Sequence, residues 1–467
     1  MKIRFCGAAK EVTGSSHMVI LDDGFKILLD CGMFQGENNE ELNKQWFFKP
    51  EQVDAVVLSH AHIDHCGRLP KLGRDGFEGN IYSTHATRDL AAIMLMDSAK
   101  IQENDAEYEN KKNAKYGAKV APIQPLYTIK DAGRIMRNFI SFNYNRWFRI
   151  HDNVEILFRD SGHILGSASI TMRIKEGKKV SMLGFTADIG RADRPILKDP
   201  EPMLPVDYLI TESTYGDRLH ETAPNADEKF LSIIRETCLQ KKGKLIIPAF
   251  SVGRTQEIVY MLDQAANKHE LPPIKVYVDS PLAVNATNVF QSHPECFDAE
   301  LHEYMLFDKN PFGFNGLTYV KTVEESKGLN IKDNPCIIIS SSGMANAGRV
   351  RHHLANNIED PGNTILAVGY CSPMTLGARI LRGEKVVSIF GVKHPVNAQV
   401  ERIEAFSGHG DYQEMIDYLH CQDPAQIRKV FLVHGEYESQ SFYKKQLHQA
   451  GFRNIEIPAP GQEFVLH

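Results

Sequence analysis

The stretch LSHAHIDHCGRLP, residues 58–70, contains three histidines and an aspartate within six positions: His60, His62, Asp64 and His65. It follows the apolar run DAVVL, residues 54–58, which is typical of a buried strand. A strand that ends in a turn can direct such side chains at one point, and zinc accepts imidazole and carboxylate ligands. A polar loop with a chance His-x-His pair is the alternative. Four ligands at this spacing favour a metal site.

Three more histidine or aspartate residues occur in the same context, shortly after an apolar run that is typical of a strand. They are His163 after VEILF, Asp188 after KKVSM and His434 after KVFLV. Each alone is weak, because a single histidine among nineteen is usually a surface or core residue. Together with the first four they supply seven ligands, which suits two zinc ions bridged by Asp188. Two adjacent ions can stabilise both the attacking and the leaving oxygen of a displacement.

The composition is that of a globular protein of more than one domain, with 467 residues, 42% hydrophobic and 24% charged. No apolar run reaches membrane-spanning length, and the N-terminus lacks the apolar core of a signal peptide, which predicts a cytoplasmic location without membrane contact. The eight cysteines include no C-x-x-C pair, so they indicate neither a disulfide framework nor a cysteine zinc site. The net charge of −6 means that a nucleic-acid substrate would need a local cationic groove.

The order of predicted elements indicates an α/β protein. Short strand-like runs separated by turns occur through the first 85 residues, the pattern of residues 86–140 predicts helix, and strands return up to about residue 210. After Tyr215, helical patterns alternate with short apolar strands such as GKLIIPAF and CIIISS, which predicts a parallel sheet covered by helices. A last strand-rich segment begins near residue 396. Whether the middle block forms a separate domain is not decided by periodicity.

The motifs resemble those of the β-CASP branch of the metallo-β-lactamase fold. The resemblance rests, in chain order, on FCGAAKEVTGSSH, LLDCG, HAHIDH, SGHILGSA, TADIG, TESTYGDR, PAFSVGRTQE, VYVDSPLA, SSSGMANAGR, FSGHGDY and LVHGE. These matches run from residue 5 to residue 436. The resemblance implies a stand-alone bacterial or archaeal relative of the mRNA 3′-end cleavage endonuclease. It also implies an αββα sandwich (1–210 and 396–467) with an inserted β-CASP domain (211–395), built on a mainly parallel sheet with flanking helices.

The resemblance assigns the metal ligands residue by residue. One zinc ion would be held by His60, His62, His163 and Asp188. The other would be held by Asp64, His65, Asp188 and His434. Asp30, in LLDCG, matches the first acidic position of the family, and we expect it to orient a ligand histidine. A plain Asp-Cys-Gly turn is the alternative for Asp30.

Two more residues match family positions beside the metals, Glu212 in TESTYGDR and His409 in FSGHGDY. We expect His409, held by Glu212, to protonate the leaving oxygen as general acid. The alternative is that His409 only caps the helix that begins at DYQEMIDYL. In the family, the position of His434 is histidine in RNA-acting members and typically valine in DNA-repair nucleases, so the resemblance favours RNA.

Two segments are candidate phosphate-binding loops, since backbone N–H groups at a helix start bind anions. The first comprises Ser342, Gly343 and Met344, and the second comprises Thr375 and Gly377. Arg254 could add a cationic contact. Ordinary strand–turn–helix connections are the alternative for both loops. Similar relatives carry arginine where Ala378 stands, so the resemblance gives no phosphate contact to Arg379.

The sequence therefore predicts a metal-dependent phosphodiesterase with two zinc ions per chain. We expect it to hydrolyse single-stranded RNA, by endo- or exonuclease action, to 5′-phosphate and 3′-hydroxyl ends in RNA processing or decay. A homodimer is compatible with this prediction. One alternative is a metallo-β-lactamase-fold hydrolase of a small ester, thioester or lactam. Another is a catalytically silent RNA-binding scaffold, although silent members lose metal ligands that this chain keeps.

Overall fold

Alternating apolar and polar residues build the long strands of the first part of the chain. In the strand Ala168–Glu176, Ile170, Met172 and Ile174 are buried between two sheets, whereas Lys175 is exposed on the opposite face. The computed structural model describes residues 1–36, 39–115, 121–220, 226–331, 334–369, 371, 374–403 and 408–467.

The chain divides into two compact units. The first unit comprises residues 1–219 and 409–467, and the second unit comprises residues 220–408. None of the described helices combines the length and the apolar character that a bilayer-spanning segment needs.

The first unit contains two seven-stranded sheets. Its strands are β1 (Lys2–Gly7), β2 (Ser16–Ile20), β3 (Lys26–Leu29), β4 (Ala55–Val57), β5 (Asn80–Thr84), β6 (Phe139–Phe142), β7 (Phe148–His151), β8 (Val154–Asp160), β9 (Ala168–Glu176), β10 (Lys179–Phe185), β11 (Tyr208–Thr211), β20 (Lys429–Leu432), β21 (Ile455–Glu456) and β22 (Glu463–Val465). The strand order is β22-β1-β2-β3-β4-β5-β6 in the first sheet and β21-β20-β11-β10-β9-β8-β7 in the second.

The helices of the first unit are α1 (Glu40–Lys44), α2 (Ile63–Cys66), α3 (Leu69–Arg74), α4 (His85–Lys115), α5 (Ile129–Ile135), α13 (Tyr412–Leu419) and α14 (Tyr437–Gln449), with 3₁₀ turns at Pro50–Gln52 and Met136–Asn138. The main core lies between the two sheets, where Phe5 of β1 meets Phe431 of β20 with ring centroids 4.9 Å apart. A second cluster packs Met415 and Leu447 of α13 and α14 against the other face of the second sheet. The predicted αββα sandwich is confirmed.

The second unit is built on one six-stranded sheet of order β14-β13-β15-β12-β16-β19, in which every strand pair is parallel. Its strands are β12 (Lys244–Pro248), β13 (Lys275–Asp279), β14 (Leu317–Tyr319), β15 (Cys336–Ser340), β16 (Thr364–Ala367) and β19 (Gln399–Arg402), and the hairpin β17 (Val386–Ile389) and β18 (Val392–Pro395) pairs separately. All residues of β12 and β15 are buried, as expected for a sheet covered on both faces.

The covering helices of the second unit alternate with its strands. They are α6 (Ala226–Ile234), which continues as a π-helix over Arg235–Gln240, α7 (Arg254–Asn267), α8 (Pro281–Ser292), α9 (Ala299–Tyr304), α10 (Val323–Ile331), α11 (Val350–Asn357) and α12 (Leu376–Leu381), with a 3₁₀ turn at Pro294–Cys296. This βα alternation after Tyr215 agrees with the predicted parallel sheet.

The borders of the two units differ from the predicted domain borders at 210/211 and 395/396. Residues after β11 stay with the first unit because the Ser213 hydroxyl donates to the Val433 carbonyl at 2.6 Å. At the other border, β19 belongs to the second unit because it pairs in parallel with β16. The predicted return to the first unit near residue 396 therefore comes later in the structure. The assignment of residues 1–210, 211–395 and 396–467 to named domains stays a prediction.

Candidate active site

The histidine-rich motif follows the end of β4, and a neighbouring loop fixes its backbone. The Ser15 N–H donates to the Asp64 carbonyl at 2.8 Å, and the Cys31 N–H donates to the His65 carbonyl at 2.8 Å. A Cβ at Gly32 would lie 1.6 Å from the carbonyl oxygen of Asp64. The close approach of the two loops therefore requires glycine, and it holds the ligand side chains at the sheet edge.

The first group of predicted ligands converges on one point. The ligand atoms of His60, His62, His163 and Asp188 lie within 4.8 Å of one another. His62 Nδ1 is 3.2 Å from His60 Nε2 and 3.1 Å from His163 Nε2. Asp188 Oδ2 is 3.4 Å from Nε2 of both His60 and His163. Three imidazole nitrogens and one carboxylate oxygen are a donor set that zinc accepts.

The second group lies on the other side of Asp188. Ligand atoms of Asp64, His65 and His434 also lie within 4.8 Å of one another. His434 Nε2 is 3.0 Å from His65 Nε2 and 3.4 Å from Asp64 Oδ2. Asp188 Oδ1 faces this group, 3.2 Å from His65 Nε2 and 3.7 Å from His434 Nε2. The two carboxylate oxygens of Asp188 thus face different ligand groups.

The donor atoms of the first group, together with Asp188 Oδ1 on the side of the second group, fit metal cations. Asp188 Oδ1 is buried and makes no hydrogen bond of acceptable geometry with any described residue, which is costly unless a cation compensates it. Burial lowers the pKa of His62 to about 3 and lowers the pKa of His60 and His163 as well. These imidazoles are therefore neutral, which is the protonation state that binds a metal.

Asp30 is fully buried and connects the ligand motif to the sheet. Its Oδ2 accepts a hydrogen bond from His65 Nδ1 at 2.7 Å and one from the Ser59 hydroxyl at 2.9 Å, and its Oδ1 accepts the Ser59 N–H at 2.8 Å. Burial opposes a charge on His65, but the carboxylates of Asp188 and Asp30 outweigh it and raise the pKa of His65 well above its ordinary value. This contact fixes the ring so that Nε2 points at the ligand group.

Two hydroxyl groups that the sequence motifs do not point to lie beside rings of the predicted ligands. Ser59 Oγ lies 3.1 Å from His60 Nδ1, and Thr214 Oγ1 lies 2.9 Å from His434 Nδ1. The position of Ser59, directly before the first ligand histidine, is a signal that the sequence offers. The partner of Thr214 lies 220 residues away, so only the three-dimensional pairing of β11 with β20 brings the two together.

His409 and Glu212 meet beside the ligand groups. His409 Nδ1 is 3.2 Å from Glu212 Oε2 and 3.8 Å from Asp188 Oδ2. Burial works against the charged form, but Glu212 and Asp188 outweigh it and raise the pKa of His409 to about 9. The cap of α13 is Asp411, which accepts the N–H groups of Gln413 and Glu414. The helix-cap alternative for His409 is therefore wrong.

The predicted phosphate-binding residues lie in the second unit, where two loops run side by side. The Gly377 N–H donates to the Met344 carbonyl at 3.1 Å, and Thr375 caps α12 by accepting the Ala378 N–H. The N–H of Ser342 donates to the Ala347 carbonyl at 3.1 Å. Residues 370, 372 and 373 of the second loop lie outside the described residues, as do residues 406 and 407 of FSGHGDY.

The first of these loops does not lie at the start of a helix, although the sequence predicted that it does. Helix α11 begins only at Val350, so Gly343 and Met344 belong to a loop rather than to a helix N-terminus. Their N–H groups have no partner among the residues described. Arg254 is buried and bonded to the Glu257 carboxylate one helical turn away. Its predicted phosphate contact stays a prediction.

Three family models match the chain: the Metallo-beta-lactamase superfamily over residues 11–164, the Beta-Casp domain over residues 255–380 and the Zn-dependent metallo-hydrolase RNA specificity domain over residues 393–458. The chain is also 36% identical over 438 residues to Ribonuclease TTHA0252 of Thermus thermophilus, with 94% of each chain covered. This chain belongs to the β-CASP ribonuclease family. It is therefore a metal-dependent hydrolase of the nuclease type, as the motifs predict.

Other relatives extend the comparison. The chain is 32% identical over 446 residues to an RNase J-like protein of Methanocaldococcus jannaschii, with 94% of each chain covered. It is 31% identical over 455 residues to Cleavage and polyadenylation specificity factor 73 of Drosophila melanogaster, covering 96% of this chain and 61% of that protein. A crystal structure of a protein of unknown function from Enterococcus faecalis aligns with TM-score 0.55 and 13% identity, covering 100% of this chain and 99% of that one. That likeness concerns the fold alone.

Gly32→Ala should lower the midpoint of thermal unfolding of the first unit. Overpacking typically costs about 1–3 kcal/mol, and a backbone carbonyl cannot move aside as a side chain can. Calorimetry on the purified variant measures the shift. The control is Gly133→Ala in α5, an exposed position where a Cβ has nothing within 4 Å; this variant should match or exceed the parent stability. Equal unfolding midpoints for both variants would contradict a required close approach at Gly32.

Proposed function

We propose that the protein uses two zinc ions to hydrolyse phosphodiester bonds of single-stranded RNA, leaving 5′-phosphate and 3′-hydroxyl ends. The observation that carries this proposal is the position of Asp188, whose two oxygens face separate groups of imidazole and carboxylate ligands. Membership of the β-CASP ribonucleases supports RNA as the substrate, and the match to a Zn-dependent metallo-hydrolase domain supports zinc as the metal.

The residues of the chain would divide the work between metal binding and proton transfer. Zinc bound by the two groups would supply Lewis acidity towards phosphoryl oxygens and would lower the pKa of water. Asp30 keeps the His65 ring in place through the 2.7 Å contact with its Nδ1. Glu212 holds Nδ1 of His409, so Nε2 is the nitrogen that would deliver a proton to the departing 3′-oxygen. The Ile189 N–H, donated to the Glu212 carboxylate, fixes that carboxylate beside Asp188.

Asp188→Ala should lose metal and activity together, because no other described carboxylate faces both ligand groups. The parent protein, purified without chelator, should contain close to two equivalents of zinc by elemental analysis, and the variant should contain markedly less. Asp152→Ala removes an exposed carboxylate elsewhere in the first unit and should keep metal content and activity. Full activity in the Asp188 variant would refute the two-metal proposal.

The enzyme should cleave RNA faster than DNA of the same sequence, because His434 occupies the position that tracks with RNA-acting relatives. A rate ratio of at least about tenfold, equivalent to about 1.4 kcal/mol in the barrier, is the expected result. Matched single-stranded oligonucleotides at one fixed salt concentration test this, since salt sets the electrostatic part of the affinity. Equal rates would leave a general single-strand nuclease instead of a ribonuclease.

His409→Ala should lower kcat by about 10²–10⁴-fold, the usual contribution of a general acid, while zinc content and unfolding temperature stay near the parent values. The reason is that the alkoxide leaving group of a phosphodiester needs a proton. A substrate with sulfur in place of the scissile 3′-oxygen has a leaving group that needs none. That substrate should recover much of the lost rate in the variant. If it is slowed as severely as the normal substrate, His409 is not the acid.

A further inference from the structure

The hairpin β17–β18 of the second unit carries an aromatic residue where the backbone disfavours one. Ile389 pairs with Val392, so Phe390 and Gly391 form a two-residue turn, with φ of 53° and 81°. Positive φ at both central positions is the pattern of a type I′ turn, for which Asn, Asp and Gly are preferred at the first position. A bulky residue in this conformation is disfavoured by about 1–2 kcal/mol. Phe390 is therefore not explained by turn formation.

Burial in the core does not explain Phe390 either, because this residue remains 48% exposed while Val387 and Ile389 of the same hairpin are fully buried. The Arg351 guanidinium lies over the ring, 4.2 Å from its centroid. The His352 ring lies 4.6 Å away, tilted by 31°. Phe390, Arg351 and His352 form a half-exposed stack of planar groups at the tip of the hairpin, and we call it the hairpin-tip stack.

The surroundings of the hairpin-tip stack are cationic. Lys327 and Lys393 are exposed, and none of Lys327, Arg351 and Lys393 forms an ion pair or a side-chain hydrogen bond with a described residue. Burial and the neighbouring charges of Arg351 and Lys327 lower the pKa of His352, together with His353.

We propose that the hairpin-tip stack is an accessory binding site for single-stranded RNA, in which a base joins the stack against the exposed part of the Phe390 ring while Arg351 and Lys393 contact phosphates. The inference deepens the proposed function, since it rests on RNA being the substrate. Base–aromatic stacking tolerates any sequence, and guanidinium groups stack on bases as well as pairing with phosphate. The occupant is nucleic acid because planar groups beside unpaired cations complement the bases and phosphates of an unpaired strand.

Phe390→Asn removes the aromatic ring and keeps the turn, because Asn-Gly is a preferred pair for a type I′ turn. The variant therefore tests RNA binding without destabilising the hairpin. The variant should unfold at the same or a higher temperature than the parent, yet bind RNA about tenfold more weakly. Phe390→Tyr keeps the ring and should restore parental affinity. Phe307→Asn is the matched control, since it removes an aromatic side chain that is 91% exposed elsewhere in the second unit. Its RNA affinity should not change.

Fluorescence anisotropy of a labelled 30-nucleotide oligouridylate measures the affinity, with every variant made in the zinc-loaded His409→Ala background so that the strand stays intact. Parental affinity in Phe390→Asn would overturn the proposal. Equal losses of RNA affinity in the Asn and Tyr variants would also overturn it. So would a change of molecular mass without a change of RNA affinity, which would indicate a contact between copies of the chain.

Lys393→Gln tests the phosphate contact. This variant should reduce the slope of log K against log salt by about one. An unchanged slope would show that Lys393 contacts no phosphate.

Cleavage by the parent enzyme is measured separately, and it distinguishes the two proposals. If the parent fails to cleave RNA while Phe390→Asn still weakens binding, the proposed function is refuted and the accessory site stands. If the parent cleaves RNA while the Phe390→Asn variant binds RNA as tightly as the protein with Phe390 intact, the accessory site is refuted and the proposed function stands.

Discussion

The two oxygens of the Asp188 carboxylate determine how the rest of the first unit must be arranged. Each oxygen faces a different set of imidazoles, so loops that follow several different strands have to end within a few ångströms of one residue. Both sheets contribute, because the motif after β4 comes from one sheet and His163, Asp188 and His434 come from the other. The core between the sheets, rather than the polar residues, supplies the stability that keeps them together.

Three residues of the candidate site have a backbone conformation that is unfavourable for residues other than glycine. Asp30, Ala187 and His434 all have positive φ, between 50° and 59°, although none is glycine. Residues in such conformations persist only where surrounding contacts determine them, and they concentrate at functional sites. Here the contacts are hydrogen bonds between loops, such as that from the His434 N–H to the Ala8 carbonyl at 2.8 Å. The positions of the predicted ligands therefore depend on hydrogen bonds among several loops.

The sequence predicted which histidine and aspartate side chains lie together, because metal chemistry restricts residue type and because each of them follows an apolar run. Their assignment as metal ligands stays a prediction. The resemblance to the family predicted the αββα sandwich, and the alternation of helices and strands after Tyr215 predicted the parallel sheet. The sequence did not predict the role of Thr214 or the place of β19, since both depend on pairing between distant segments. The late start of α11 was missed because Arg349, the residue at its N-cap, makes no side-chain cap, so the sequence carries no cap signal at the observed start. Local sequence patterns do not predict which distant strands pair or which path a loop follows.

The pairing of β11 with β20 has a consequence for the order in which the protein is made. These strands are parallel neighbours, with Thr211 opposite Leu432, yet the whole second unit is synthesised between them. His434 follows β20, so the second group of predicted ligands can be assembled only after the second unit has been synthesised. A nascent chain therefore carries the histidine-rich motif throughout the synthesis of the second unit without the complete set of predicted ligands. The proposed active site thus cannot form while the second unit is still being made.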